Sequence, residues 1–409
     1  MDFEIAKNYL IGGVNSPIRS FKEVGGKPIF IKKSEGSKIY DYDNKEYIDY
    51  VCGYGTLILG HRHPEVISAI REILNYGTHF YAISEYEIEL ARIIKSAIPQ
   101  MELMRFTNSG TEATMSAIRI ARGYTKRDKI VKFRGNYHGH SDSLIIDISE
   151  GIPKSLKSDT IIIDYNDVET LKKVFEIYGE EIACVIVEPI AGNMGLVLPR
   201  IEFLKALREL TLRYNSVLIF DEIITGFRLT FGSVGKIYNI YPDIITLGKI
   251  VGGGMPIGVY GGKREIMEVV SPLGSVYQAG TFSGNLISMV SGITTLRILK
   301  ELNPYEEIEK ITKSLVNSIE DIFKRKGIYA KINHIGSMFS IFFTNEDVYN
   351  HKTAESSDKQ LYKKLFWKLI DKGIYPPPSN FEVWFLSAAH NLDDIEKTKE
   401  AINEIANEL

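Results

Sequence analysis

The feature that most constrains this chain is a series of short, largely apolar runs that alternate with helical patterns from about Asp41 onward. The runs lie at residues 130–133, 144–146, 161–163, 183–187, 217–220 and 244–247, each of strand length and without polar alternation. Strands covered on both faces read this way, so the pattern predicts βα units and a mostly parallel sheet. Among the helical patterns, Val66, Ile67, Ile70, Ile73 and Leu74 share one face. Ser84 and Glu87 have capping-box spacing before Ile88, Ala91, Ile94 and Ile98, and Pro99 closes that helix. After about Lys300 the texture changes to long charged amphipathic stretches around one strand-like run at 338–343. The run of Pro376, Pro377 and Pro378 reads as a stiff extended element. The expectation is an α/β protein with a large sheet domain over residues 46–300 and a smaller α+β domain over 301–409. The segment 1–45 is expected to pack with the smaller domain.

A chain of 409 residues, 44% hydrophobic, can bury a large core, and 49 basic against 52 acidic residues leave a net charge of only -3. No global field attracts nucleic acid or an anionic membrane, which leaves a small molecule as the expected partner. The two cysteines, Cys52 and Cys184, sit in apolar sequence and cannot form a disulfide framework for a chain this size, so a reducing compartment is expected. From Met1 through Ala6, Tyr9 and Leu10 there is no basic stretch followed by an apolar core, and no apolar run approaches a bilayer span. A soluble, cytoplasmic protein is expected.

Three segments carry chemistry. Asn108-Ser109-Gly110-Thr111-Glu112-Ala113 precedes a helix-forming run and can present free amides and two hydroxyls to a phosphate; taken alone, it reads first as an ordinary capped helix after a turn, and only further motifs reverse that. The run at 217–220 ends in Asp221-Glu222, which puts carboxylates at the carboxyl end of a central strand, where α/β sites form, or at the cap of the next helix. Thr246-Leu247-Gly248-Lys249 ends another strand and runs into Gly252-Gly253-Gly254-Met255-Pro256, a segment that lets a bulky ligand approach the backbone. A solvated loop lysine is the plain alternative, but a desolvated amine there can lose its proton and attack a carbonyl.

Together, a phosphate cradle, a strand-end carboxylate and a strand-end lysine are what a pyridoxal 5'-phosphate site requires. The carboxylate keeps the ring nitrogen protonated, the lysine holds the aldehyde as a Schiff base, and its amine, once freed, moves protons. The histidine pairs His61/His63 and His138/His140 lack the i, i+4 spacing or the acidic and cysteine company of a metal site, so no metal is expected.

On these motifs the chain resembles the class III, fold-type I pyridoxal-phosphate enzymes over essentially its whole length, and among them the aminomutases. The stretches that carry the resemblance include Gly12-Gly13-Val14-Asn15-Ser16-Pro17-Ile18-Arg19, Tyr137-His138-Gly139-His140, Asp221 to Arg228, Thr246 to Pro256, and Gln278-Ala279-Gly280-Thr281-Phe282-Ser283-Gly284-Asn285. The resemblance implies Lys249 as the Schiff-base lysine, Asp221 as the partner of the ring nitrogen, and Ile223 and Tyr137 on the two ring faces. It further implies Ser109, Gly110 and Thr111 at the phosphate, Asn193 near the ring hydroxyl, His138 in support of the ring, and Thr281 reaching the cofactor of a neighbouring subunit in a homodimer. Ser16 and Arg19 would hold a substrate carboxylate.

Two departures from the family pattern stand out. The segment after Tyr137-His138-Gly139-His140 is short, with Gly151 as its only glycine between Ser143 and Asp164, and Tyr54-Gly55-Thr56 replaces the usual Trp-Gly-Pro. The resemblance implies an isomerase that moves an amino group between neighbouring carbons of glutamate 1-semialdehyde, through a diamine, giving 5-aminolevulinate for tetrapyrrole synthesis. The alternative is a class III aminotransferase acting on another amino compound. Transaminases of this class commonly clamp a donor carboxylate with a C-terminal arginine, whereas here the last arginine is Arg325 and the segment expected near the pocket offers Glu382. A carboxylate there would repel a second carboxylate and favour the amino end of a substrate.

Overall fold

The computed structural model describes residues 3–409, so Met1 and Asp2, where the reading of a leaderless start began, lie outside it. Fourteen strands are described in chain order: β1 Ile31–Glu35, β2 Lys38–Asp41, β3 Glu46–Asp49, β4 Leu103–Thr107, β5 Lys129–Phe133, β6 Thr160–Ile163, β7 Ile182–Val187, β8 Val217–Asp221, β9 Ile244–Gly248, β10 Gly258–Gly262, β11 Lys331–Ile335, β12 Met338–Phe342, β13 Ile374–Tyr375 and β14 Trp384–Phe385. The main sheet has seven strands in the order β4-β10-β9-β8-β7-β5-β6. Its β5, β6, β7, β8 and β9 pair in parallel, and β10 runs antiparallel to both β9 and β4. Every residue of β7, β8 and β9 is buried, which is why their sequences show no polar alternation.

Two predicted features are corrected. Residues 144–146 form no strand: Asp142–Leu144 is a single 3₁₀ turn, pinned because the buried Lys132 Nζ donates to Leu144 O at 2.8 Å and to Asp147 Oδ1 at 2.7 Å. The helix Pro64–Ile73 buries Val66 and Ile73, but Leu74 lies beyond its end and is exposed, as is Ile88 in the next helix. That next helix, Glu85–Ala97, does start with the Ser84/Glu87 capping box and is buried through Leu90 and Ile94.

Strand β10, Gly-Val-Tyr-Gly-Gly, escapes a propensity reading because glycine weakens strands. Its glycines answer to crowding: a Cβ on Gly258 would lie 2.0 Å from the Ser109 carbonyl oxygen. The strand therefore runs against the turn that opens the helix Gly110–Thr125.

Towards the C-terminus, β11, β12 and β14 form a three-stranded sheet, and β13 pairs in parallel with β3 of the four-stranded sheet β1-β2-β3-β13. The N-terminal segment packs onto the helix Lys359–Asp371, with Phe21 edge-on to Phe366 at 5.3 Å and Trp367 Nε1 donating to Val24 O at 3.0 Å. Cys52 and Cys184 are free thiols, both buried. Among the described residues no helix is long and apolar enough to cross a membrane.

Candidate active site

The carboxyl ends of the parallel strands converge on a cavity of about 450 Å³. Asp221 closes β8, Lys249 follows β9, Tyr137 and His138 follow β5, and Asn193 follows β7. The helix Gly110–Thr125 points its N-terminus at the same space.

Asp221 is buried, and each oxygen is engaged: Oδ2 accepts from His138 Nδ1 at 2.7 Å, and Oδ1 from the Ile223 N–H at 3.1 Å and the Thr246 hydroxyl at 3.2 Å. A carboxylate with this many donors is held rigid, facing the cavity it lines. The other ring nitrogen of His138, Nε2, is buried with no partner among the described residues.

Lys249 adopts a left-handed backbone with φ of 44°, an unfavourable conformation for a lysine that a packed site can enforce. Its amine forms no hydrogen bond with the described residues. Burial pulls its pKa below the ordinary 10.5, opposed by the carboxylates of Glu382, Asp221 and Glu188 and assisted by the charge of Arg228. The direction favours a neutral, nucleophilic amine.

Ile223 fills the floor: a Cβ on either Gly110 or Gly248 would stand 3.1 Å from its Cδ1. Ile223 therefore packs tightly against both glycines at the edge of the cavity that it lines. The N–H groups of Gly110 and Thr111 donate to no acceptor among the described residues, as expected of the first turn of a helix. Thr111 also lines the cavity and bonds His140 Nδ1 at 3.2 Å. Ser109 is placed differently from the other two: its hydroxyl is used as the helix N-cap, accepting from Glu112 N–H at 3.2 Å and donating to Glu112 Oε2 at 3.1 Å.

Tyr137 lines the cavity, with its hydroxyl pKa raised by burial and by Asp221. Asn193 lines it too and donates to Glu188 Oε1 at 2.9 Å. Glu188 escaped the sequence reading, although an acid directly after the apolar strand β7 is the same signal that marked Asp221. Its buried carboxylate also accepts from the Tyr137 N–H at 2.8 Å and the Gly192 N–H at 2.7 Å, tying two cavity walls together. Burial raises its pKa, an effect opposed chiefly by His138.

The expected substrate residues are more dispersed. Glu382 is half-buried, its carboxylate unbonded by described residues, and burial raises its pKa to about 7 against the pull of Lys249. Arg19 is exposed and does not line the cavity, but its charge acts on the Tyr54 hydroxyl, as does that of Glu382. Ser16 faces a separate surface hollow, and Thr281 is exposed, its carbonyl accepting from His79 Nε2 at 2.7 Å. Within this chain neither is brought to the cavity.

These residues fit a flat, phosphorylated pyridine aldehyde: an apolar side chain packed on two glycines, unbonded amides at one end, a carboxylate held by three donors, and a lysine amine without a hydrogen bond to the described residues. Among the described residues no group of three or more His, Cys, Asp or Glu side chains is placed to hold a metal ion.

Comparison with known proteins points the same way. A family model described as Aminotransferase class-III matches residues 21–402. A glutamate-1-semialdehyde 2,1-aminomutase of Sulfurihydrogenibium sp. (strain YO3AOP1) is 51% identical, over 97% of this chain and 95% of the relative. The enzyme of that name from Aquifex aeolicus is 49% identical, over 97% and 96%. Among solved structures, an omega-transaminase from Sphaerobacter thermophilus superposes with a TM-score of 0.93 at 29% identity, over 99% of this chain and 96% of that one. A glutamate-1-semialdehyde-aminomutase from Pseudomonas aeruginosa PAO1 in complex with PMP shares the fold, with a TM-score of 0.90 at 22% identity over 100% and 93%.

Proposed function

The chain belongs to the class III aminotransferase family, and from that premise we propose that it is an isomerase moving an amino group between neighbouring carbons of glutamate 1-semialdehyde, giving 5-aminolevulinate for tetrapyrrole synthesis. The observation that carries this reading is identity of about half, end to end, with relatives named for that reaction. The cavity supports it through what it contains.

The cofactor is pyridoxal 5'-phosphate, or its pyridoxamine form, which supplies an electron sink for the carbon that gains or loses a proton. Lys249 would hold the cofactor covalently and, once released, shuttle protons between the substrate carbons. Asp221, braced by His138, would keep the ring nitrogen protonated. Ile223 and Tyr137 would flank the ring and Asn193 would approach its hydroxyl. The Gly110 and Thr111 amides and the Thr111 hydroxyl would bind phosphate, with Ser109 fixing the turn that presents them.

Arg19 and Ser16 would hold the far carboxylate of the substrate. Glu382, protonated or not near neutral pH, would receive the amino end. A carboxyl at that place in a chain with no arginine after Arg325 disfavours the alternative of a general transaminase, which must clamp the carboxylate of a second amino acid. We also propose a cytoplasmic homodimer in which Thr281 serves the cofactor of the neighbouring subunit. The exposed position of Thr281, away from the cavity of its own chain, is compatible with that role. The reading is tested by supplying glutamate 1-semialdehyde with no amino donor and analysing the product. Accumulation of 5-aminolevulinate supports it; its absence from cofactor-loaded protein overturns it.

A further inference from the structure

Arg228 is among the largest fully buried side chains, and no carboxylate among the described residues forms an ion pair with it. Its fork is spent on neutral oxygens: Nη2 donates to Gly55 O, and Nη1 donates to Leu386 O at 3.1 Å and to Ser337 Oγ at 3.4 Å. The guanidinium also lies 5.2 Å from the centre of the Phe385 ring. A buried charge that gains no opposite charge is costly to keep, so it calls for an explanation in what it holds.

What it holds is strained. Cys52, Gly53, Tyr54 and Gly55 all have positive φ, of 48°, 62°, 56° and 86°, which makes one turn of left-handed helix. Non-glycine residues avoid this conformation, and two of the four carry side chains. The turn is fixed at its start by Asp49, whose carboxylate accepts from the Val51 and Cys52 N–H groups at 2.8 and 3.2 Å. At its end the Gly55 carbonyl is taken by Arg228, while a Cβ on Gly55 would stand 2.9 Å from the Phe385 ring. The turn delivers Tyr54 and Thr56, the second lining the cavity directly and the first sensing the charges of Glu382 and Arg19.

We propose that Arg228 is a positioning residue that clamps this left-handed turn to the segment carrying Glu382, and so fixes the substrate side of the cavity. Lysine is a poor replacement, because its single ammonium nitrogen must reach the Gly55, Leu386 and Ser337 oxygens that the two Nη atoms of the fork share between them. Arg228 leaves the loop that starts at Asp221, so a single loop holds the cofactor side at one end and the substrate side at the other. Its positive charge adds to the burial that disfavours protonation of Lys249. The role deepens the proposed function and rests on it for the identity of the substrate, but the clamp itself does not.

The test is amide hydrogen exchange across residues 55–57 in cofactor-free protein, where Gly55, Thr56 and Leu57 N–H groups bond Val51 O, Gly53 O and Cys52 O. In Arg228→Lys these amides should exchange about ten-fold faster or more, while strand β8 keeps its protection. Ser337→Ala, which removes one anchor of the fork, should give a smaller acceleration in the same amides and serves if Arg228→Lys does not fold. In loaded enzyme Arg228→Lys should raise KM for the substrate about ten-fold or more with a lesser effect on kcat, and its effect should be non-additive with Tyr54→Phe. Unchanged exchange at 55–57 in both variants overturns the clamp, whatever the substrate proves to be. Loss of protection with no activity on glutamate 1-semialdehyde in the unmodified protein would sink the functional reading and leave the clamp standing.

Discussion

His138 Nδ1 lies 2.7 Å from Asp221 Oδ2 with both side chains buried, and this pair sets the electrostatics of the cavity. The histidine orients the carboxylate, and its second nitrogen has no partner among the described residues. Asp221→Asn should retain the fold but weaken pyridoxal phosphate binding and lower turnover on the order of 100-fold, since a buried charge-assisted contact is lost. His138→Leu should lower unfolding free energy by about 1–3 kcal/mol by leaving the carboxylate short of a donor. Absorbance titration with the cofactor and urea denaturation measure the two effects; equal cofactor affinity in Asp221→Asn would refute the assignment.

Ser109 and Thr111 should separate in their effects. Ser109→Ala removes an N-cap and should cost about 1 kcal/mol of stability. Thr111→Val should leave stability nearly unchanged and raise the dissociation constant of the cofactor several-fold. If Ser109→Ala instead matched Thr111→Val in cofactor affinity with no loss of stability, the hydroxyl of Ser109 would belong to the phosphate site and not to the cap.

Glu382 makes stability depend on pH in a predictable direction. Its folded pKa of about 7 lies above its ordinary 4.5, so between those values the folded chain holds a proton that the unfolded chain has lost. The contribution is therefore full below 4.5 and is lost as pH rises through about 7. Glu382→Gln should flatten this part of the profile and raise the urea midpoint at pH 8 (roughly one unit above the folded pKa) relative to the unmodified protein. The buried Glu222, also near 7, remains as a common background in both. Parallel profiles for the two proteins would show that Glu382 does not titrate as placed.

How much of this was legible in the sequence depends on whether a residue acts through its neighbours along the chain or across it. Asp221 and Lys249 were legible because each ends an apolar strand run, and strand ends are where α/β sites gather. Glu188 gave the same signal and was passed over in favour of Asn193, which in the fold donates to it. Strand β10 was hidden because its glycines reflect close approach of the Ser109 carbonyl, a contact no local pattern records. The run at 144–146 was misread because Lys132, a charge inside an apolar strand, reaches out to cap that turn. Arg228 lay within a recognised motif, yet its partner Gly55 is 173 residues away.

The most direct test of the central claim counts turnovers per bound cofactor, starting from the pyridoxamine form and glutamate 1-semialdehyde with no other amino compound present. An intramolecular transfer regenerates the amine form at each cycle, so 5-aminolevulinate should accumulate to many equivalents per site. Added alanine or glutamate should not be needed to sustain it. A transaminase would stop after releasing about one equivalent of the diamine 4,5-diaminovalerate and no 5-aminolevulinate, with the cofactor left in its aldehyde form. That outcome, with turnover restored only by an amino donor, would contradict the account.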